Sequence, residues 1–347
     1  MERLKATKAP YIAFEIGGTM NGLQSAVRLT QEAGKAGADA IKVQILDAKR
    51  LVGGQPLVHY LNSRGEECSE PQIDALMRRH LEPDGWRVVF AMAKDYDLDL
   101  IATVDFPHTL EFALEHGAAA IKICSGDITH IEWIEIVASR CASAGVPVLL
   151  DTGNATLFEL ERAVLSCNNA GVVTMVHHVA PGYPAAPQNI NLDLLVWLRR
   201  LTNVHRGYSS HTNSWGIDAM AVALGAEMVE KNLTLDRFGK GPEQSSAITV
   251  GIAKLYVDSL KEAASALGNT SNLLMREENE DGRKRRLAAR RGAWLTRSVK
   301  KDEYIIDGDN EYRRPAALTG YQPGEIPAKG RYTDDLAPGP LMRGDVV

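Results

Sequence analysis

Eight short apolar segments recur between residues 11 and 234, and most of them end in a polar or charged residue. They cover residues 11–17, 40–44, 98–104, 120–125, 147–152, 174–179, 205–211 and 228–234. Helical patterns such as LQSAVRLTQEAGKAGA and LFELERAVLSCNNAG fill most of the gaps. Strands alternating with helices make parallel βαβ units. Eight such units fit an α/β fold, the (β/α)8 TIM barrel, in which the C-terminal ends of the strands carry the chemistry. Here those ends offer Glu15, Lys42, Gln44, Thr103, Lys122, Ser125, Asp151, His178, His211, Glu230 and Asn232.

A barrel of this kind takes roughly 250 residues. The chain has 347, which leaves room for a second, smaller domain. The spacing predicts a barrel over residues 1–267, a polar and charged linker over 268–292, and a compact β-rich module over 293–347. The basic cluster from Arg283 to Arg291 reads as a solvated linker face. Residues 46–96 form a long connection rich in turn formers, a candidate substrate lid on the catalytic face. A net charge of −5 gives no electrostatic case for nucleic acid or an acidic membrane. No apolar run reaches the roughly 18 residues that span a bilayer. The opening MERLKATKAP has no apolar core, so no signal peptide is expected. Cys68, Cys124, Cys141 and Cys167 show no CxxC spacing, which points to a reducing cytoplasm.

Two lysines stand in matched contexts, Lys42 in GADAIKVQ and Lys122 in GAAAIKICSG. A parallel barrel strand is covered on both sides, so an unpaired charge there is costly. Two buried cations near one mouth call for an anion, a phosphate or a carboxylate. Ser125 and Ser209 add hydroxyls beside them. Glu15 is a candidate general base or metal-supporting group, or else a salt-bridge partner of Lys42. His211 suits a metal ligand, an acid–base group or a structural histidine. Of the pair His177 and His178, only one ring can face the barrel interior.

Taken together, these segments resemble the N-acetylneuraminate synthase family, the sialic acid (nonulosonate) synthases. YIAFEIGGTMNG is similar to the family's E-I-G-x-N-H-N-G, and GADAIKVQ to G-A-D-x-x-K-x-Q. AIKICSGD resembles x-x-K-I-x-S-G-E, LLDTGN the S-T-G-M segment, and HHVAPGYP the H-C-x-x-x-Y-P stretch. GYSSHT resembles G-x-S-D-H-T, and VEKNLTLDRFGKGPE resembles x-E-K-H-F-T-L-D-x-x-x-G-P-D. The tail resembles the family's C-terminal antifreeze-like (SAF) domain. The resemblance implies condensation of phosphoenolpyruvate with an open-chain amino-sugar aldehyde, with release of phosphate. It implies that Lys42, Thr103, Lys122, Ser125 and Ser209 contact phosphoenolpyruvate and that Glu15 lies near the reacting atoms. Gln44, Asp151, His178 and Tyr183 fall within the matched segments and join the substrate-binding set. A divalent metal, Mn²⁺ or Mg²⁺, would polarise the aldehyde from His211 and the position of Asn232. Arg314 of YRRP would reach into a partner subunit's site, which implies a domain-swapped homodimer.

Departures gather at the same positions. Asn232 stands where the family has its second metal-ligating histidine, Ser210 for the aspartate of S-D-H, and Asp151 for the serine of S-T-G. Thr19 and Met20 replace N-H of the opening motif, Asp127 the glutamate of S-G-E, Glu243 the aspartate of G-P-D, and Pro181 a small polar residue. Asparagine is a poorer transition-metal ligand than imidazole, and an aspartate repels a nearby phosphate. These residues keep two alternatives open: an aldolase- or lyase-type barrel enzyme acting on another oxyacid or sugar, and a non-catalytic sugar-binding relative.

Overall fold

The computed structural model describes residues 9–347 apart from 154, 202 and 269–279. Residues 1–8, which carry most of the leader question, and the first part of the expected linker lie outside the described residues. The chain divides into two compact units, Met1–Gly268 and Asn269–Val347.

The first unit is a closed barrel. Its strands are β1 (Tyr11–Glu15), β2 (Ala40–Ile45), β5 (Asp99–Val104), β6 (Ala120–Ile123), β7 (Val148–Asp151), β8 (Thr174–Val179), β9 (Val204–Ser210) and β10 (Met228–Thr234). All pair in parallel in that order, and β1 pairs with β10 to close the ring. The helices are α1 (Gly22–Ala36), α2 (Ala48–Leu51), α3 (Gln72–Met77), α4 (Pro83–Asp95), α5 (Pro107–Glu115), α6 (Ile131–Ala144), α7 (Leu157–Ala170), α8 (Asp193–Trp197), α9 (Trp215–Ala223) and α10 (Ala253–Ala266). A two-residue strand, β11 (Ile248–Thr249), pairs in parallel with the end of β10.

Side chains along a strand alternate between the barrel's inside and its helix-facing outside. The outward set packs with the helices into one large core that includes Phe14, Ile41, Val43, Ile121, Val176, Tyr208 and Val229. The inward set forms a separate cluster: Tyr11, Ala13, Ala40, Ile101, Ala120, Leu149, Met175 and Met228. This cluster fills the N-terminal end of the barrel. Two residues further along each strand, the same inner face turns polar. Ala13 gives way to Glu15, Ala40 to Lys42, Ile101 to Thr103 and Ala120 to Lys122. Leu149 gives way to Asp151, Met175 to His177 and Met228 to Glu230. The period of two thus stacks a charged layer on an apolar floor.

The long connection after β2 is an antiparallel hairpin, β3 (Leu57–Leu61) and β4 (Glu67–Pro71), followed by α3. Glu70 of the hairpin pairs with Arg78 and lies 3.0 Å from Lys240, in the loop after β10. Ser63 donates a hydrogen bond to the Arg237 carbonyl of the same loop. The segment therefore spans from the second strand to the last across the catalytic face.

Among the described residues of the second unit, the first element is a helix, α11 (Glu280–Ala289), where the composition predicts only linker. That helix buries no residue, so no apolar stripe announced it. A three-stranded antiparallel sheet follows, with β12 (Gly292–Leu295) between β13 (Asn310–Arg313) and β14 (Gly339–Pro340). Ala293, Leu295, Val299, Tyr332, Leu341 and Val346 make its small core. Buried Asp309 accepts from the Tyr332 hydroxyl (3.1 Å) and the Ile306 amide (3.0 Å), and pairs with Arg297 (2.6 Å). Arg314 is exposed just after β13.

Among the described residues, no helix is long and apolar enough to cross a membrane.

Candidate active site

The charged layer is a network of two lysines and three carboxylates, closed by a histidine. Lys122 Nζ lies 2.9 and 2.8 Å from the two oxygens of Glu230 and 2.9 Å from Asp151 Oδ2. Lys42 pairs with Glu15 and lies 3.9 Å from Glu230 Oε1. The two ammonium groups therefore converge on one point, the Glu230 carboxylate, which also accepts from Ser209 Oγ at 3.2 Å. Glu230, named only as a strand end in the sequence, is the hub of this site. Its signal was its spacing, two residues before Asn232 on the same strand face.

His177 completes the layer. Its Nδ1 lies 3.7 Å from Asp151 and 3.8 Å from Glu230. A Cβ on Gly207, the residue beside it in register, would stand 2.2 Å from the ring, so only glycine makes room for it. The register turns His178, expected from the sequence to bind substrate, away from this layer. His178 faces outward, with Nε2 2.6 Å from the Ile190 carbonyl and its ring 5.8 Å from that of Tyr208. Met175 fixes the parity, because the residue two positions on, His177, shares its inward face.

Burial sets the charges. Desolvation pushes Glu15 up to about 7, only partly offset by Lys42 and reinforced by Glu243 and Glu230. Burial likewise raises Asp151, against the pull of Lys122. For Glu230 burial is outweighed by Lys122, Lys42 and His177, so its carboxyl lies well below the usual range. For Lys42 the desolvation penalty is overcome by Glu15, Glu230 and Glu243, which hold it above the ordinary lysine value. His177, buried beside Lys122, is lowered from 6.5 to about 3 despite Glu230. A lowered histidine favours the native state above the unfolded pKa, and that stability is lost as pH falls towards the folded value. The stability advantage of the wild type over His177→Gln should therefore shrink as urea midpoints are taken from pH 7 down to 4. A constant difference would mean that His177 does not stay neutral.

Thr103 belongs to the buried layer, and nearer the surface Gln44, Ser125 and His211 ring the mouth. Thr103 Oγ1 and His211 Nδ1 are buried with no hydrogen-bond partner among the described residues, which leaves both open to a ligand. The Tyr183 ring lies 4.3 Å from the ring of His211. Burial lowers His211 to about 4, so its imidazole is neutral. Ser210 points the other way. It donates to Asp218 at 2.6 Å and accepts from Lys231 at 2.9 Å, in a buried network behind the strand.

The metal expectation is tested by Asn232. Its amide nitrogen donates to Glu243 Oε2 at 2.7 Å, and Glu243 Oε1 pairs with Arg79 at 3.2 Å. Gly18 lets Glu243 in, since a Cβ there would overlap its carboxylate. Among the described residues no group of three His, Cys, Asp or Glu side chains is placed to hold an ion. One open imidazole nitrogen beside an engaged amide does not fit a tight Mn²⁺ site. Restoring histidine at Asn232 should raise Mn²⁺ affinity at least about tenfold, read by calorimetry, since imidazole is the better donor. Tight stoichiometric Mn²⁺ in the wild type as purified would contradict this. Arg79 and Glu243 thus join the site. Glu243 was noted in the sequence only as a substitution, and Arg79 carried no signal there.

A sequence model of the NeuB family matches residues 29–272. The chain is 28% identical over 323 residues to the N,N'-diacetyllegionaminic acid synthase of Legionella pneumophila, covering 91% of this chain and 88% of that protein. It is 26% identical over 314 residues to a pseudaminic acid synthase of Campylobacter jejuni, covering 89% and 88%. Its fold matches the N-acetylneuraminic acid (sialic acid) synthetase of Leptospira borgpetersenii, solved with citrate. The TM-score is 0.68 at 24% identity, over 80% of this chain and 90% of that one. With the family's sequence pattern running through all eight strands that build this mouth except the first, the chain belongs to the NeuB family.

Proposed function

We propose that this chain is a transferase that condenses phosphoenolpyruvate with an open-chain amino-sugar aldehyde. The product is a 2-keto-3-deoxy sugar acid such as a nonulosonate, and phosphate is released. The observation that carries the reading is the convergence of buried Lys42 and Lys122 on one point of the barrel's inner face. Carbon 3 of the enol ester bonds to the aldehyde carbon and the aldehyde oxygen takes a proton. Water adds at carbon 2, and phosphate leaves with the bridging oxygen. Lys42 and Lys122, with Thr103, Ser125 and Ser209, hold the carboxylate and phosphate, while Gln44 and Tyr183 face the acceptor. Glu15, poised near neutrality, is suited to pass a proton at the reacting atoms. When bound, a divalent ion would polarise the aldehyde oxygen. The donor set at His211 and Asn232 suits only a weakly held ion, and no step here depends on it. The four free cysteines suit a cytoplasmic setting. The test is phosphate release from phosphoenolpyruvate with a panel of amino-sugar aldehydes, with and without Mn²⁺ or Mg²⁺. No release with any acceptor would overturn the reading.

One observation favours the alternative, an aldolase- or lyase-type enzyme: Asp151 already sits on Lys122, where a phosphate would bind.

The active unit is proposed to be a homodimer in which Arg314 of one chain serves the barrel of the other, its planar fork suited to a carboxylate or sugar. Glu15→Gln and Arg314→Ala chains, each inactive alone, should regain activity when mixed. In a random mixture half the dimers are mixed, and each has one intact site of two, so about a quarter of wild-type activity returns. Confirmed mixed dimers without recovery would place Arg314 in its own chain's site or in none.

A further inference from the structure

Beside the mouth, an apolar cavity of about 310 Å³ lies between the end of β2 and the first turns of α4 and α5. Trp86, Leu81, Phe112, Met77 and Ile45 form much of its wall, and half-exposed His80 and His108 stand at its rim. That volume falls in the range of small-molecule sites. A second, small cavity of about 10 Å³ shares Leu46, Ala48, His80 and Trp86 with the first and is also lined by Gln44 and Arg79. Gln44 faces the barrel interior two residues beyond Lys42, and Arg79 pairs with Glu243 at the mouth. The cavity therefore adjoins Gln44 and Arg79, two long side chains that lead towards the proposed active site.

We infer that this cavity is a substituent subsite, taking an apolar acyl chain longer than acetyl that is amide-linked to the acceptor sugar. The inference rests on the acceptor being an amino sugar, as proposed above. The wall is mostly aromatic and aliphatic, and among the charged groups at the rim Asp47 and His108 face each other while the Lys49 side chain is exposed. Asp47 accepts from the Arg50 amide at 3.3 Å and lies 3.4 Å from His108, while the Arg50 guanidinium sits 4.2 Å over the Phe106 ring. The Gln44 carboxamide offers both the donor and the acceptor that an amide linkage needs. From there a chain passes Leu46 and Ala48 towards Trp86.

The test uses the full chain and unreactive probes, N-acyl hexosamines reduced to their open-chain alcohols, with acyl groups from acetyl to hexanoyl. Calorimetry should show Kd falling about fourfold per added methylene, the usual yield of burying one. Met77→Trp, which fills the cavity, should flatten the series, and His108→Trp serves as a second filling variant if the first fails to fold. A Kd independent of chain length, no binding at any length, or an unchanged series in both variants would overturn the subsite. Phosphate release from the matching aldehydes is read separately. Length-dependent binding without release supports the subsite and defeats the synthase reading. Release with a flat series does the reverse.

Discussion

Lys122→Met is expected to abolish phosphoenolpyruvate binding and to lower stability by about 3–5 kcal/mol. The stability loss follows from the network. Lys122 is 1% exposed and neutralises Glu230 and Asp151 at 2.8 and 2.9 Å. Removing one partner of a buried ion pair leaves the other charge uncompensated, and such changes cost about 3–5 kcal/mol. The binding loss follows from the same position, because Lys122 is one of two cations proposed to meet the anion. The effects separate in the double variant Lys122→Met, Glu230→Gln. Removing the stranded charge should recover much of the urea midpoint while calorimetry still detects no binding. If the single variant binds phosphoenolpyruvate like the wild type, Lys122 is only a structural cation.

Asp151→Ser should change binding in the opposite direction. Asp151 is buried, and its Oδ2 takes up one face of the Lys122 ammonium. An anion arriving there meets a like charge. Two unit charges 4 Å apart repel by about 4 kcal/mol at an effective dielectric of 20. Reorientation of Asp151 and its raised pKa relieve part of that, so the expected gain is about 10- to 100-fold in affinity, or about 1.4–2.8 kcal/mol. The wild type should also bind more tightly as pH falls, because protonating Asp151 removes the repulsion. The serine variant should lose that part of the pH dependence. Weaker binding by Asp151→Ser would mean that the aspartate itself contacts the substrate, which would favour the lyase-type reading.

What the sequence reveals and what it hides divide along one physical line. The eight strands are legible because each is an apolar run between turn signals, and the pairings follow once a parallel ring is assumed. The two lysines are legible because a charge inside a doubly covered strand demands a reason. Which face a side chain takes is harder to read. Every residue of β8 is buried, from Thr174 to Val179, so no polar alternation tells His177 from His178. Glu230 and Lys231 pose the same problem on β10, where all seven residues are buried. Only the register shows that Glu230 meets Lys122 inside while Lys231 meets Asp218 outside. Arg79 is hidden for another reason. It lies in a polar stretch between α3 and α4, and its link to Glu243 spans 164 positions of sequence.

The central claim is that the convergent lysines serve a carbon–carbon condensation of phosphoenolpyruvate. It is tested most directly by supplying phosphoenolpyruvate labelled with carbon-13 at carbon 3 together with the amino-sugar aldehyde panel, and measuring phosphate and products together by mass spectrometry. The prediction is one phosphate released for each acceptor that gains a labelled pyruvyl unit, with both signals lost in Glu15→Gln and Lys122→Met. Phosphate released without a labelled condensate, or no consumption of phosphoenolpyruvate with any acceptor, would contradict it.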